Sequence, residues 1–340
     1  MGTILGDIVK AEPMTLADLS GRVLAIDAFN SLYAFLSIIR QPDGTPLMDR
    51  KGRVTSHLSG LLYRNVILLE HGIEPVYVFD GESPQLKRAE IERRKEVRET
   101  AHKKWEEALE EGRIEDAYKA AQASSRLKTN MIDESKELLQ AMGVPVVQAP
   151  SEGEALAAQM AREGIVWASA SQDNDSLLYN CPRMLRNLVG RRPSRGRSSR
   201  SIEPELIDLD ENLRFLEISR EQLIDIAILV GTDYNDKVPG VGPKTALKLI
   251  KEYGSLEKIE SDKGMTLDFP YPEIRDIFLN PPEIELKKPE SDEPNYDEVR
   301  RILCSEHDFS ANRVDKALER LRESLTARDD TTQSSLSDFF

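Results

Sequence analysis

The thirty residues from Ala149 to Leu178, APSEGEALAAQMAREGIVWASASQDNDSLL, predict a helix followed by a strand. Ser151 is the expected N-cap, apolar residues then recur at helical spacing, and Gly164 is the expected stop. The stretch from Ile165 to Ala170 predicts a short buried strand. A helix joined to a buried strand in this way is typical of an α/β fold.

Four carboxylates occupy the two ends of this unit. Glu152 and Glu154 stand at the start of the helix, while Asp173 and Asp175 come just after the strand. Ligands of open α/β sheets bind outside the carboxyl ends of the strands, so the two aspartates lie where such a crevice is expected. Taken alone, the glutamates fit a capping box and the Asp-x-Asp fits an ordinary turn.

Two further strands are predicted to end in an acid. The stretch from Val23 to Ile26 predicts a strand that leads to Asp27, and the stretch from Val76 to Phe79 predicts one that leads to Asp80. One such aspartate can simply cap the next helix. Three strands that all end in acid favour a shared cation site instead.

Composition limits the class of protein. The chain has 340 residues, of which 39% are hydrophobic and 31% charged, and its net charge is −14. These values predict one large α/β domain with an appendage. The sequence shows no apolar run of membrane length and no basic leader, so we expect a cytoplasmic protein without a membrane partner. The only two cysteines, Cys181 and Cys304, are far apart, which argues against a zinc site or a disulfide framework.

The region from Pro84 to Leu127 predicts a charged helical stretch that is too polar to be core. Its simplest interpretation is a solvated helical pair with i,i+4 ion pairs. Lys87 and Arg94 are seven residues apart, so they share one helix face and could point two cations at an anion near Asp80. A second basic segment, Arg191 to Arg200, predicts either a solubilising loop or a contact to a phosphate backbone.

A glycine-rich turn between two predicted helices forms another candidate site. The first helix spans about Glu221 to Val230, and the second starts near Pro243. The turn is too short for a Walker loop, and it resembles the hairpin of a helix-hairpin-helix element, whose free amides face a phosphate. A plain helix pair with a glycine turn is the alternative. The candidate DNA-binding residues are Gly240, Gly242, Lys244 and Lys248.

Several motifs occur in one order along the whole chain: IDAFNSLYAFL, PVYVFDG, PQLK, APSEGEA, SQDNDSLL and GTDYNDKVPGVGPKTA. Together they resemble the flap endonuclease family of structure-specific 5′ nucleases in its archaeal form. The resemblance implies a PIN-like α/β fold, with a central, mostly parallel sheet flanked by helices. The implied regions are a single nuclease domain at 1–326, its N-terminal part at 1–100, a helical arch at 84–128, an internal nuclease part at 145–257, a helix-hairpin-helix element at 221–251 and a flexible tail at 327–340.

The resemblance also implies an activity and its metals. The expected enzyme is a 5′ flap endonuclease with 5′–3′ exonuclease activity, which acts in Okazaki fragment maturation and base excision repair. Two Mg²⁺ ions per subunit are implied, with Mn²⁺ as a substitute, and a K⁺ ion at the hairpin. The matching metal ligands are Asp27, Asp80, Glu152 and Glu154 for one ion and Asp173, Asp175 and Asp233 for the other. Lys87 and Arg94 match the catalytic basic pair, and Tyr33 matches a residue that stacks on a terminal base.

The end of the chain matches a partner motif of the family. Gln333, Leu336, Phe339 and Phe340 have the spacing of the motif that binds a sliding clamp of the PCNA type. A tail that docks on its own domain is the alternative. The expected partners are therefore branched or flapped DNA and the clamp, bound by a monomer close to the nucleoid.

Two other functions compete with this interpretation. A phosphatase could use magnesium and strand-end aspartates, but it needs an aspartate nucleophile and has no use for an arch or a clamp motif. A non-catalytic DNA-structure binder recruited by the clamp would keep the hairpin and the tail. Such a binder would be free to lose carboxylates, whereas this chain has all seven.

Overall fold

The computed structural model describes residues 5–188 and 203–337, with side chains described up to residue 326. Within these residues one sheet contains β1 (Glu12–Pro13), β2 (Val23–Asp27), β3 (Glu74–Phe79), β4 (Val146–Gln148), β5 (Ala168–Ala170), β6 (Arg183–Arg186) and β7 (Glu205–Asp208). The order across the sheet is β1-β7-β6-β5-β2-β3-β4. Neighbours from β6 to β4 are parallel, and β7 pairs antiparallel with both β6 and β1. The prediction of a mostly parallel sheet is confirmed.

Both faces of the sheet are buried. Successive side chains of a strand point to opposite faces, and in β3 Tyr77 and Phe79 enter one core cluster while Val76 and Val78 enter the other. All four are at most 2% exposed. A strand covered on both sides has no polar face, which explains the continuous apolar run in the sequence.

The helices cover both faces of the sheet. In chain order they are α1 (Ala28–Ile38), α2 (Ser56–Glu70), α3 (Arg88–Glu110), α4 (Ile114–Ala123), α5 (Thr129–Ala141), α6 (Gly153–Arg162), α7 (Asp175–Leu178), α8 (Leu209–Leu216), α9 (Arg220–Val230), α10 (Pro243–Tyr253), α11 (Leu256–Lys263), α12 (Tyr271–Leu279), α13 (Tyr296–Arg300) and α14 (Ala311–Ser337). Helices α6, α7, α9, α10 and α12 pack on one face. Helices α1, α2, α5, α13 and α14 pack on the other.

Helices α3 and α4 form a charged pair that stands outside both core clusters. They are joined at Gly112, which has a φ of +71° that suits glycine. The two helices pack against each other, and the buried residues of the pair are all alanines: Ala101, Ala108, Ala117 and Ala121. The prediction that this stretch is too polar to be core is confirmed.

Two local predictions in the opening unit are wrong. The N-cap of α6 is Glu152 and not Ser151, because the Ser151 hydroxyl instead donates to the carbonyl of Glu82 at 3.0 Å. Strand β5 starts at Ala168 and not at Ile165. The amide of Ile165 donates to the carbonyl of Met160 at 3.0 Å, so this residue closes the end of α6 before the strand begins.

The strand order places a crevice at the end of β2. From β2 the chain moves through β3 to β4 on one side, and it then crosses to β5 on the other side of β2. Ligand sites of open α/β sheets lie where the strand order reverses, outside the carboxyl ends of the strands. The described part of the chain contains no helix with the length and apolar character needed to span a bilayer.

Candidate active site

Two strand-end aspartates tie the sheet to the helices that follow it. Asp27 ends β2, and its Oδ1 accepts a hydrogen bond from the Asn30 amide at 3.0 Å, which caps α1. Asp80 follows β3, and its Oδ1 accepts from the Gly153 amide at 2.7 Å. The second contact brings the end of β3 against the start of α6, where Glu152 and Glu154 lie.

Gly81 makes this close approach possible. Its amide donates to the carbonyl of Ser151 at 2.6 Å. A Cβ atom at this position would lie 2.2 Å from the carbonyl oxygen of Ala149 and 2.8 Å from the backbone of Pro150. Only glycine therefore allows the loop after β3 to lie this close to the turn before α6.

Ser171 links the carboxylates at the ends of β2, β5 and α6. Its hydroxyl donates to Glu154 Oε1 at 3.0 Å and lies 3.4 Å from Asp27 Oδ2, and it accepts from the amide of Asp173 at 3.2 Å. Sequence reasoning missed this residue. The sequence signal for this residue was its position: a hydroxyl follows a buried strand and precedes an Asp-x-Asp.

One cavity of about 670 Å³ collects most of the predicted residues. Six of the seven predicted metal ligands line it: Asp27, Asp80, Glu152, Glu154, Asp173 and Asp233. Asp175 is buried at the first position of α7, and its charge acts on Glu154. The cavity is also lined by Tyr33, and the guanidinium of Arg98 lies 4.6 Å from the centre of that ring.

The two predicted cations, at the start of α3, lie among the carboxylates. Lys87 Nζ forms an ion pair with Glu152 Oε2 and lies 3.2 Å from Asp233 Oδ2. Arg94 Nη2 contacts Asp233 Oδ1. Lys87 is the N-cap residue of α3 and Arg94 lies two turns further along, so both side chains point into the cavity from the same side, as their spacing predicts.

Glu90 is a cavity residue that sequence reasoning missed. Its Oε1 accepts a hydrogen bond from Arg94 Nε at 2.6 Å, and its Oε2 accepts from Arg93 Nε at 2.6 Å. The signal was present, because Glu90 lies three residues after Lys87 and four before Arg94, and such positions share a helix face.

Burial and mutual repulsion raise the pKa values of the clustered acids. The pKa of Asp27 rises from 3.8 to about 7, first because the carboxyl is buried and second because Asp80 is close. Burial, Asp175 and Asp173 hold the pKa of Glu154 well above its usual range. For Lys87, burial alone would lower the pKa, but the ion pairs with Glu152 and Asp233 outweigh it and raise the pKa.

The donor set suits a hard divalent cation. The anionic groups that line the cavity are aspartates and glutamates, which offer oxygen atoms as ligands. Mg²⁺ and Mn²⁺ prefer oxygen ligands. Crowded acids with raised pKa values are stabilised as carboxylates by a bound cation. Among the side chains described in 5–188 and 203–326, no three acidic, histidine or cysteine groups already converge as ligands of one ion. Lys87 and Arg94 instead hold carboxylates that an ion would need.

The glycine-rich turn lies between α9 and α10, as predicted. Gly240 has a φ of +77°, Gly242 caps α10, and neither has an atom within 4 Å of the position of an added Cβ. Pro243 occupies the first turn of α10. Lys244 and Lys248 are exposed on the same helix. The turn therefore presents an open backbone next to two lysines.

Some predicted residues lie at the end of the described ranges or outside them. Helix α14 continues to Ser337, so its backbone includes the positions of Gln333 and Leu336. Phe339 and Phe340 lie outside the described residues, as does the basic segment from Arg191 to Arg200. The clamp motif and the role of the basic segment stay predictions.

Two regions of the chain match a known protein family. The XPG N-terminal domain matches residues 1–101, and the XPG I-region matches residues 143–233. These two regions contain all seven carboxylates and both cations of the candidate site. The fold and the site thus define a nuclease of the XPG type.

Full-length relatives narrow the class further. Flap endonuclease 1 of Caldivirga maquilingensis is 53% identical to this chain over an alignment of 343 positions. The alignment covers 98% of this chain and 98% of that protein. This chain belongs to the flap endonuclease family, and it is a phosphodiester hydrolase.

Solved structures agree with the fold. The flap endonuclease-1 structure from Methanococcus jannaschii superposes with a TM-score of 0.74 at 39% identity, covering 96% of this chain and 100% of that one. The catalytic core of Rad2 in complex with DNA substrate gives a TM-score of 0.71 at 25% identity, covering 94% of this chain and 98% of that one. The mostly parallel sheet with helices on both faces is therefore the arrangement of flap endonuclease structures.

Proposed function

We propose that this flap endonuclease cuts flapped DNA at the junction of single strand and duplex, through divalent metals held in the cavity beyond β2. The observation that carries the proposal is the cavity itself. It gathers six carboxylates from the ends of several elements, together with Lys87 at the N-cap of α3 and Arg94 within that helix. Such a set of anions and cations can hold metal ions and a phosphodiester side by side.

The carboxylates would hold two Mg²⁺ ions, with Mn²⁺ as a substitute. We assign Asp27, Asp80, Glu152 and Glu154 to one ion and Asp173, Asp175 and Asp233 to the other. When bound, the ions would activate a water and stabilise the leaving oxygen. Binding requires Lys87 and Arg94 to release Glu152 and Asp233, because these ion pairs occupy the same oxygens. A DNA phosphate gives the released cations a new partner.

Lys87 and Arg94 would act on the scissile phosphate. Cations placed where negative charge develops stabilise the transition state, most strongly in a site that excludes water. The side chain of Lys87 is only 13% exposed, so it lies well inside the cavity. Tyr33, at the cavity wall, would stack on a terminal base.

Three other regions would handle the DNA and the partner. Helices α3 and α4, within 84–128, would form the arch through which a single-stranded flap passes. The element at 221–251 would hold the duplex through Gly240 and Gly242 with a K⁺ ion, and contacts of this kind select DNA shape over sequence. The nuclease domain would span 1–326, and the segment 327–340 would bind a sliding clamp.

The test is cleavage of an end-labelled double-flap DNA in Mg²⁺, alongside a single strand of the same sequence. We compare wild type with Asp173→Asn and with the exposed control Asp268→Asn. Cleavage near the junction should fall at least about a hundredfold in Asp173→Asn and stay unchanged in the control. Tight binding without cleavage by wild type would favour the non-catalytic DNA binder, and equal cutting of the single strand would refute structure specificity.

A further inference from the structure

Glu90 places a carboxylate on the cationic face of α3. It lines the cavity beside Lys87 and Arg94, and its side chain is only 12% exposed. A negative group in this position repels the phosphates of a DNA substrate, and the cavity already holds six carboxylates. Glu90 is therefore unfavourable for binding DNA, unless its contacts on α3 serve the reaction in another way.

The contact with Arg94 fixes the direction of a planar group. Arg94 Nε donates to Glu90 Oε1 at 2.6 Å, while Arg94 Nη2 contacts Asp233 Oδ1. A guanidinium is rigid, so a hold on Nε determines where the two Nη groups point. Glu90 thus directs the Nη edge of Arg94 into the cavity. This hold comes from within α3, so it does not require any particular partner at the Nη edge.

A third residue keeps the pair from losing its positive charge. Arg93, which is 57% exposed, donates to Glu90 through Nε at 2.6 Å and through Nη2 at 2.9 Å. One carboxylate shared by two arginines leaves a net positive charge. The pKa of Glu90 is lowered, since the hydrogen bonds from Arg93 and Arg94 outweigh burial. The carboxylate therefore stays ionised while Arg94 remains available to an anion.

We propose that Glu90 is a positioning residue for cleavage, holding Arg94 so that its Nη edge meets the scissile phosphate. The inference rests on the role proposed for Arg94 above. Glu90 itself would not contact the reacting atoms. Its loss should therefore slow the chemical step without weakening DNA binding.

The experiment uses the full chain and double-flap DNA. Single-turnover cleavage rates in Mg²⁺ and dissociation constants in EDTA are measured for Glu90→Ala, Glu90→Gln and the control Glu92→Ala. Glu92 lies on the same helix, is 61% exposed and pairs with Lys95, so it reports any general loss of helix stability. Glu90→Ala should cleave about tenfold more slowly, within the hundredfold that a 1 Å misplacement can cost. Glu90→Gln keeps an acceptor for Arg94 and should recover most of the rate.

A double-mutant cycle separates the possible outcomes. In an Arg94→Ala background, Glu90→Ala should have no further effect, because nothing is left to position. Additive losses, tighter binding with an unchanged rate, or an equal loss in Glu92→Ala would each overturn the inference. If Arg94→Ala slows cleavage and Glu90→Ala does not, only the inference fails. If Arg94→Ala cleaves like wild type, the role proposed for Arg94 fails as well.

Discussion

Replacing Gly81 with alanine should separate the two halves of the carboxylate cluster. The added Cβ would lie 2.2 Å from the carbonyl oxygen of Ala149, and even a tight contact needs 3.0 Å. The backbones must therefore move apart by about 0.8 Å. Overpacking of this kind costs about 1–3 kcal/mol of stability. The same shift moves Asp80 away from Glu152, and a misplacement near 1 Å can slow a reaction about a hundredfold.

Urea unfolding and single-turnover cleavage of flapped DNA measure the two effects of Gly81→Ala. The matched control is Gly164→Ala at the other end of α6, where a Cβ meets no atom within 4 Å and only the φ of +74° is unfavourable. The control should lose about 1–2 kcal/mol and keep its cleavage rate. Wild-type cleavage by Gly81→Ala would show that the contact between the loop and α6 does not set the geometry of the site.

Two further predictions concern the acid cluster and the hairpin. The pKa of Asp27 is raised from 3.8 to about 7, so the folded protein loses stability from this group as the pH rises from about 4 through 7. Asp27→Asn should therefore have a higher free energy of unfolding in urea than wild type at pH 8 in EDTA, by up to about 4 kcal/mol. Near pH 4 the two proteins should be equally stable. A gain that is equal at both pH values, or that Asp268→Asn shares, would contradict this. Gly242→Ala has open space and a φ of −104°. Alanine is a poorer N-cap residue than glycine but lowers the entropy of the unfolded chain, so the free energy of unfolding should change by less than about 1 kcal/mol. Its Cβ would keep a phosphate away from the free amides of α10, so the dissociation constant for flapped DNA should rise about tenfold, or roughly 1.4 kcal/mol; unchanged fluorescence anisotropy titrations would refute a backbone grip at this turn.

The local sequence pattern was sufficient to predict the acids at the ends of the strands. Asp27 and Asp80 follow apolar runs, and the parallel pairing of β2 with β3 and β5 then brings the ends of the strands together. The face shared by Lys87 and Arg94 also follows from helical spacing alone. Each of these predictions depends on a few neighbouring residues and on one general rule of packing.

Tertiary contacts account for what the pattern missed. Asp233 lies 139 positions from Arg94, its ion-pair partner, so no local period could place it in the site. Strand β1, at the edge of the sheet, has only two residues, and β6 and β7 beside it pair antiparallel, without a clear pattern in the sequence. The N-cap of α6 was misplaced because Ser151 bonds to Glu82, a partner 69 positions away.

The residues that meet in the cavity are far apart along the chain, and this separation determines when the cavity can form during synthesis. Asp27 and Ser171 meet across 144 positions, and Asp233 must still be added before the ion pairs with Lys87 and Arg94 exist. Non-local parallel pairing of this kind forms late, because the entropy of loop closure is lost before the contacts repay it. A nascent chain on the ribosome thus lacks a complete site until most of its residues have emerged. Unfinished chains released by the ribosome should be unable to cut the DNA around them.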